Sequence, residues 1–147
     1  MAWKVQGKGG GAAGSALGAS LIVLRISLGV FMVAKGLEKL AWIAHPNILA
    51  GRLDAFLAKA TPANRWWVTL LIPGAAVFAR LVPFGEMAAG VSLIFGRYSR
   101  LAATLAFLMI LNFHLATGAL FRWDFPSDGQ AFPVLGGLLA IALSGRR

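Results

Sequence analysis

The 147-residue chain contains no cysteine. That excludes disulfides, thiolate metal sites, iron–sulfur clusters and thiol nucleophiles supplied by this chain. Charge is also scarce, at 13% of residues against about 25% in soluble domains. Acids are the scarcest charges, with five Asp and Glu in all. The two histidines, His45 and His114, form no H-E-x-x-H or similarly spaced ligand pair, so no metal site is expected. There is no phosphate-loop motif. The N-terminal glycines follow no strand that could make them a nucleotide fingerprint.

Apolar residues dominate instead: 59% of the chain is hydrophobic and the mean hydropathy is +0.76. Runs of spanning length make this an all-α integral membrane protein. The size allows one domain of about four spans, a four-helix bundle. A net charge of +9 would point to nucleic acid in a soluble protein. Here the positive charges flank apolar runs. The expected partner is therefore the lipid bilayer, not nucleic acid.

Residues 1–14 are Gly-rich, with Lys4 and Lys8, and have little reason to fold alone. A cleavable leader is not expected, because Arg25 interrupts the apolar core and no A-x-A site follows. The transmembrane domain covers 15–147, with a first span over about 15–40. His45-Pro46 ends that helix. Residues 47–60 then place Ile48, Leu49, Leu53, Phe56 and Leu57 at helical spacing, which predicts an amphipathic helix at the membrane surface. A second interfacial helix is expected over 66–72, with Trp66-Trp67 at the headgroup boundary. The second span covers about 74–96, with Pro83 expected to bend it near Glu86. The third covers about 101–121. The fourth, 129–144, has a short apolar core and spans only by recruiting loop residues or thinning the bilayer.

With four spans, the N-terminus, the turn at 97–100 and the C-terminus share one face. That face carries Lys4, Lys8, Arg97, Arg100, Arg146 and Arg147 and no acid. The positive-inside rule makes it cytoplasmic, so both termini are expected on the cytoplasmic side of the membrane.

Intramembrane charge is costly and marks a site. Arg25 lies ten residues from Ser15 and Glu86 ten from Gly96, about 15 Å of helix in each case. Matched depth predicts an Arg25–Glu86 ion pair, either fixing helix register or bordering a polar pocket. Asn112 and His114 enter the third span at a similar level and complete the expected polar cluster. His114 and Arg25 are the candidate quinone or pigment contacts. An ordinary interhelical hydrogen bond is the commoner role for such a histidine. Lys35, Glu38 and Lys39 read as a solvated helix end with i,i+3 and i,i+4 pairing. Gly14, Gly18, Gly29 and Gly36 form a small-residue stripe that admits another helix, including one from a different subunit.

Two blocks resemble the DoxX family of small four-helix bacterial membrane proteins. The first is Leu24-Arg25-Ile26-Ser27-Leu28-Gly29-Val30-Phe31, extended by Gly36 and Lys39. The second is Gly85-Glu86-Met87-Ala88-Ala89-Gly90, continued by Leu93, Gly96 and Arg100-Leu101-Ala102-Ala103. The resemblance runs from about Leu21 to Ala119 and implies a bundle with Arg25 and Glu86 facing inward. Members of that family include a subunit of thiosulfate:quinone oxidoreductase and proteins linked to oxidative-stress complexes.

The implied setting is a redox membrane. The chain is expected to be an accessory subunit of a larger respiratory or photosynthetic electron-transfer assembly, bound to other membrane subunits and without catalytic activity of its own. A quinone-interacting subunit and a small transporter using the Arg25/Glu86 path are the alternatives. No cofactor is expected on this chain alone. A quinone is the candidate ligand, and a chlorophyll or haem contact through His114 the remoter one.

Overall fold

In the computed structural model, residues 10–129 and 131–144 are described. They form seven α-helices joined by short turns and contain no strand among the described residues. The N-terminal residues 1–9 and the C-terminal 145–147, which carry four of the six basic residues assigned to the cytoplasmic face, lie outside the described residues.

Helix α1 (Gly10–Leu37) is the first span and includes the last glycines of the Gly-rich segment. A single turn, α2 (Ala41–Ala44), and the amphipathic α3 (Asn47–Ala58) follow. Helix α3 buries Leu49 and Leu53 and is only twelve residues long, about 18 Å. It packs on the second span and on α4 (Pro62–Leu71).

Residues 62–95 are apolar enough to cross a membrane as one unit. A straight helix of that length would reach about 51 Å, far beyond a hydrocarbon core of about 30 Å. A 3-10 turn at Ile72–Gly74, containing Pro73, divides it into α4 and the span α5 (Ala75–Phe95). Helix α5 runs uninterrupted through Pro83. It ends at Gly96, whose φ of 75° is the left-handed cap that glycine adopts at no steric cost. Helix α6 (Ser99–Ala116) is the third span, and two 3-10 turns lead to α7 (Phe132–Leu143).

Helices α1, α5, α6 and α7 close a ring, each touching the next, with α7 returning to α1. This is the four-helix membrane bundle expected from the sequence. Helices α1, α5 and α6 belong to stretches long and apolar enough to cross a membrane. Helix α7 rises only about 18 Å and leaves the bundle short on that side.

The α1–α5 seam sets the register. A Cβ added to Gly29 would stand 2.8 Å from the Gly90 carbonyl, and one on Gly36 would stand 2.9 Å from the Pro83 carbonyl. One on Gly90 would meet Gly29 O at 2.6 Å. The two backbones are therefore in contact, which only glycine permits. Gly29 and Gly36 are thus occupied within the chain and are not free for another subunit. Gly14 and Gly18 have nothing within 4 Å of an added Cβ and remain open.

Two apolar clusters result. One joins α1, α5, α6 and α7 around Met32, Leu93, Ala103 and Leu138. The other lies under α2–α4, around Trp42, Leu53, Val68 and Ala79. Helices α2–α4 thus cap one end of the bundle, while the Gly96–Arg100 turn marks the basic end.

Candidate functional site

Glu86 is buried, at 7% exposure, on the α5 face toward the capped end. Its partner is Lys39, not Arg25. Lys39 Nζ donates to both carboxylate oxygens at 2.6 Å and to the Lys35 carbonyl at 3.2 Å. Side-chain exposures of 14% and 9% make this a largely desolvated pair. The expected Arg25–Glu86 contact is absent because the glycine seam, not depth from Ser15, governs alignment. Gly29 packs between Gly90 and Ile94, and Gly36 between Pro83 and Met87. Continuing that antiparallel register puts Arg25 opposite Gly96, and Glu86 opposite the Lys35–Gly36 turn. Lys39 lies one turn beyond and reaches back.

Lys35 and Glu38 form the i,i+3 pair expected from their spacing, at 3.0 Å. Lys39 leaves that solvated group and turns inward. Trp42, buried at 4%, supports it from below. The indole lies 5.8 Å from Lys39 Nζ and 5.2 Å from the Arg52 guanidinium carbon, within cation–π range of both.

Two adjoining cavities flank the Lys39–Glu86 pair. One, about 100 Å³, lies under α2–α4 and is lined by Trp42, Leu53, Phe56, Val82, Asn112 and other residues. The second, about 150 Å³, opens past Phe31, Ile110, Phe113 and His114. Lys39, Arg52, Glu86, Met109 and Phe113 border both. The structure therefore brings Glu86, Asn112 and His114 around one region and leaves Arg25 out of it.

Each of these residues is anchored. Asn112 Oδ1 accepts from Trp67 Nε1 at 2.8 Å, tying α6 to α4. His114 is 6% exposed and is flanked edge-on by Phe113 and Phe125, at 5.8 and 5.5 Å. Sequence reasoning missed Asn64, which is 2% exposed. Asn64 Nδ2 donates to the Ala116 carbonyl at 3.1 Å, and its Oδ1 accepts from Thr61 N and Oγ1, each at 3.0 Å. Gly118, at φ 74°, makes room: a Cβ there would be 2.9 Å from Nδ2. The available signal was Thr61-Pro62 three residues before an Asn, a helix start whose side chain can reach back. In the loop, Arg122 donates to Asp124 and holds that carboxyl below its ordinary range.

Arg25 lies at the other end. Its guanidinium packs over Gly96, where an added Cβ would be 2.8 Å from the guanidinium carbon. Its Nε is buried without a hydrogen-bond partner among the described residues.

The fold is thus a small helical membrane bundle with a largely buried ion pair between two cavities at its capped end. The family model DoxX matches residues 20–119. The chain belongs to the DoxX family. No curated protein and no solved structure matches it significantly.

Proposed function

We propose that the capped-end cavities receive the polar head of a hydrophobic carrier, a quinone being the class that fits. The observation that carries this reading is the Lys39–Glu86 pair standing between two cavities with largely apolar and aromatic walls. Together the two adjoining cavities, about 100 and 150 Å³, accept one six-membered ring. Arg52 and Asn112 on the rim supply N–H donors for a quinone carbonyl, the three of Lys39 being taken by Glu86 and the Lys35 carbonyl, and Glu86 is placed to exchange a proton with a reduced ring. Arg52 and Asn112 add a cation and an amide to the rim. The volume is far below the several hundred Å³ of a typical cofactor pocket, so a haem or chlorophyll on His114 fits less well.

The chain would act as one subunit of a membrane electron-transfer assembly. With no cysteine in the chain, and no group of three potential metal ligands among the described residues, electrons would enter from a partner subunit. The test is saturable binding of a short-tail quinone analogue to the purified protein in nanodiscs. Leu53→Trp fills the cavity beside the ion pair and should abolish saturation while leaving a folded, monodisperse protein. Equal binding by wild type and Leu53→Trp would defeat the proposal.

We also propose the bacterial inner membrane as location, with both termini cytoplasmic. The support is the acid-free basic end, which carries Arg97 and Arg100. The cysteine-free background makes accessibility labelling direct. Lys4→Cys, Tyr98→Cys and Arg146→Cys should be labelled from one side and Asp54→Cys from the other. Labelling of Tyr98→Cys together with Asp54→Cys would contradict this topology.

A further inference from the structure

At the basic end, a cleft of about 680 Å³ opens between the N-terminal half of α1 and the end of α7. Its existence follows from the length of α7, which stops at Leu143 while α1 continues. Arg25 and Arg100 line it together with Ser99 and Ser144, and Leu21 and Ile141 supply apolar wall. Arg100 is held in place by Nε donating to the Ala142 carbonyl at 3.0 Å.

Arg25 has a counter-ion problem. Its Nε is buried with no hydrogen-bond partner among the described residues. The chain has five acidic residues, at positions 38, 54, 86, 124 and 128, and none belongs to this end. Glu86, the acid least far along the seam, is ten residues from Gly96, about 15 Å away. Glu38 is thirteen residues from Arg25 on the same helix, about 20 Å. No acidic side chain of the chain can reach the guanidinium. At the level of Gly96, where α5 ends, the abundant anion is the phosphate of a phospholipid.

We infer that this cleft is a binding site for an anionic phospholipid, with Arg25 and Arg100 on the headgroup phosphate and an acyl chain against the Leu21 and Ile141 wall. The guanidinium fork matches a phosphate bidentately. The cleft is polar at Ser99 and Ser144 and apolar along α1, as an amphiphile requires. This site is independent of the capped-end cavities, which lie at the opposite end of α5.

Native mass spectrometry of the delipidated protein offered phosphatidylglycerol or phosphatidylcholine tests the proposal. One phosphatidylglycerol per chain should be retained with roughly a thirtyfold preference, two arginines each contributing roughly 1 kcal/mol at a membrane surface. Arg25→Gln should lose that preference, and Arg97→Gln, outside the cleft, should keep it. Gly18→Leu, at an open position on the cleft wall, should also lose retention and serves if Arg25→Gln does not fold. Inorganic phosphate should not displace the lipid. No preference between the two lipids, an unchanged preference in both Arg25→Gln and Gly18→Leu, or displacement by inorganic phosphate would overturn the inference.

Discussion

Lys39→Met is expected to destabilise the protein by about 3–5 kcal/mol, because it leaves the Glu86 carboxylate buried without its partner. Removing both charges together, in Lys39→Met with Glu86→Leu, should cost much less than the sum of the single changes. Replacing a whole buried pair with apolar groups of similar volume is often close to neutral. Unfolding in detergent by chemical denaturant measures all three variants. Arg25→Met provides the contrast. Arg25 lies about 15 Å from Glu86 along the seam, so its effect should add to that of Glu86→Leu within about 0.5 kcal/mol. Strong coupling between Arg25 and Glu86, with none between Lys39 and Glu86, would reverse the pairing described here.

The second large effect concerns the α1–α5 seam. Gly90→Ala places a methyl 2.6 Å from the Gly29 carbonyl and 2.8 Å from Val33 N, backbone atoms that cannot turn aside. The helices must separate or shift, at a cost of about 1–3 kcal/mol for overpacking. That outweighs the gain in helix propensity, up to about 1 kcal/mol. Gly36→Ala should behave alike, meeting Pro83 O at 2.9 Å. Gly18→Ala should have the opposite sign. Nothing lies within 4 Å of its added Cβ, so only the propensity gain remains. Thermal unfolding of the three alanine variants should therefore order them with Gly18→Ala above wild type and the other two below. A stabilised Gly90→Ala would mean the two backbones are not in contact.

The same seam explains what could be read from the chain beforehand. The helical membrane bundle, the amphipathic segment after His45-Pro46 and the shortness of the last helix all follow from run length and periodicity, and the structure has them. Glu86 stood out as a lone acid in an apolar run and is indeed buried. Its partner is not legible from depth, because apparent span ends are ambiguous by several residues, whereas glycine contacts are not. Gly29 between Gly90 and Ile94, and Gly36 between Pro83 and Met87, place Glu86 near Lys35 and Lys39 without any estimate of depth. Lys39 was hidden by its neighbours, since Lys35-x-x-Glu38-Lys39 reads as an ordinary solvated helix end. The Asn64–Ala116 and Trp67–Asn112 hydrogen bonds depend on the 3-10 turn at Pro73, which brings α4 against the end of α6. A local pattern cannot supply that long-range geometry.

Photolabelling with an azidoquinone in native membranes, followed by peptide mapping, tests the central claim most directly. If the capped-end cavities take the quinone head, labels should fall on Trp42, Phe56, Val82 or Met109, which border them. Excess unlabelled quinone should suppress those labels, and Leu53→Trp should eliminate them. Labels confined to outward-facing positions such as Val91, Leu101 and Leu105, insensitive to competitor and unaffected by Leu53→Trp, would contradict a site built on Lys39 and Glu86.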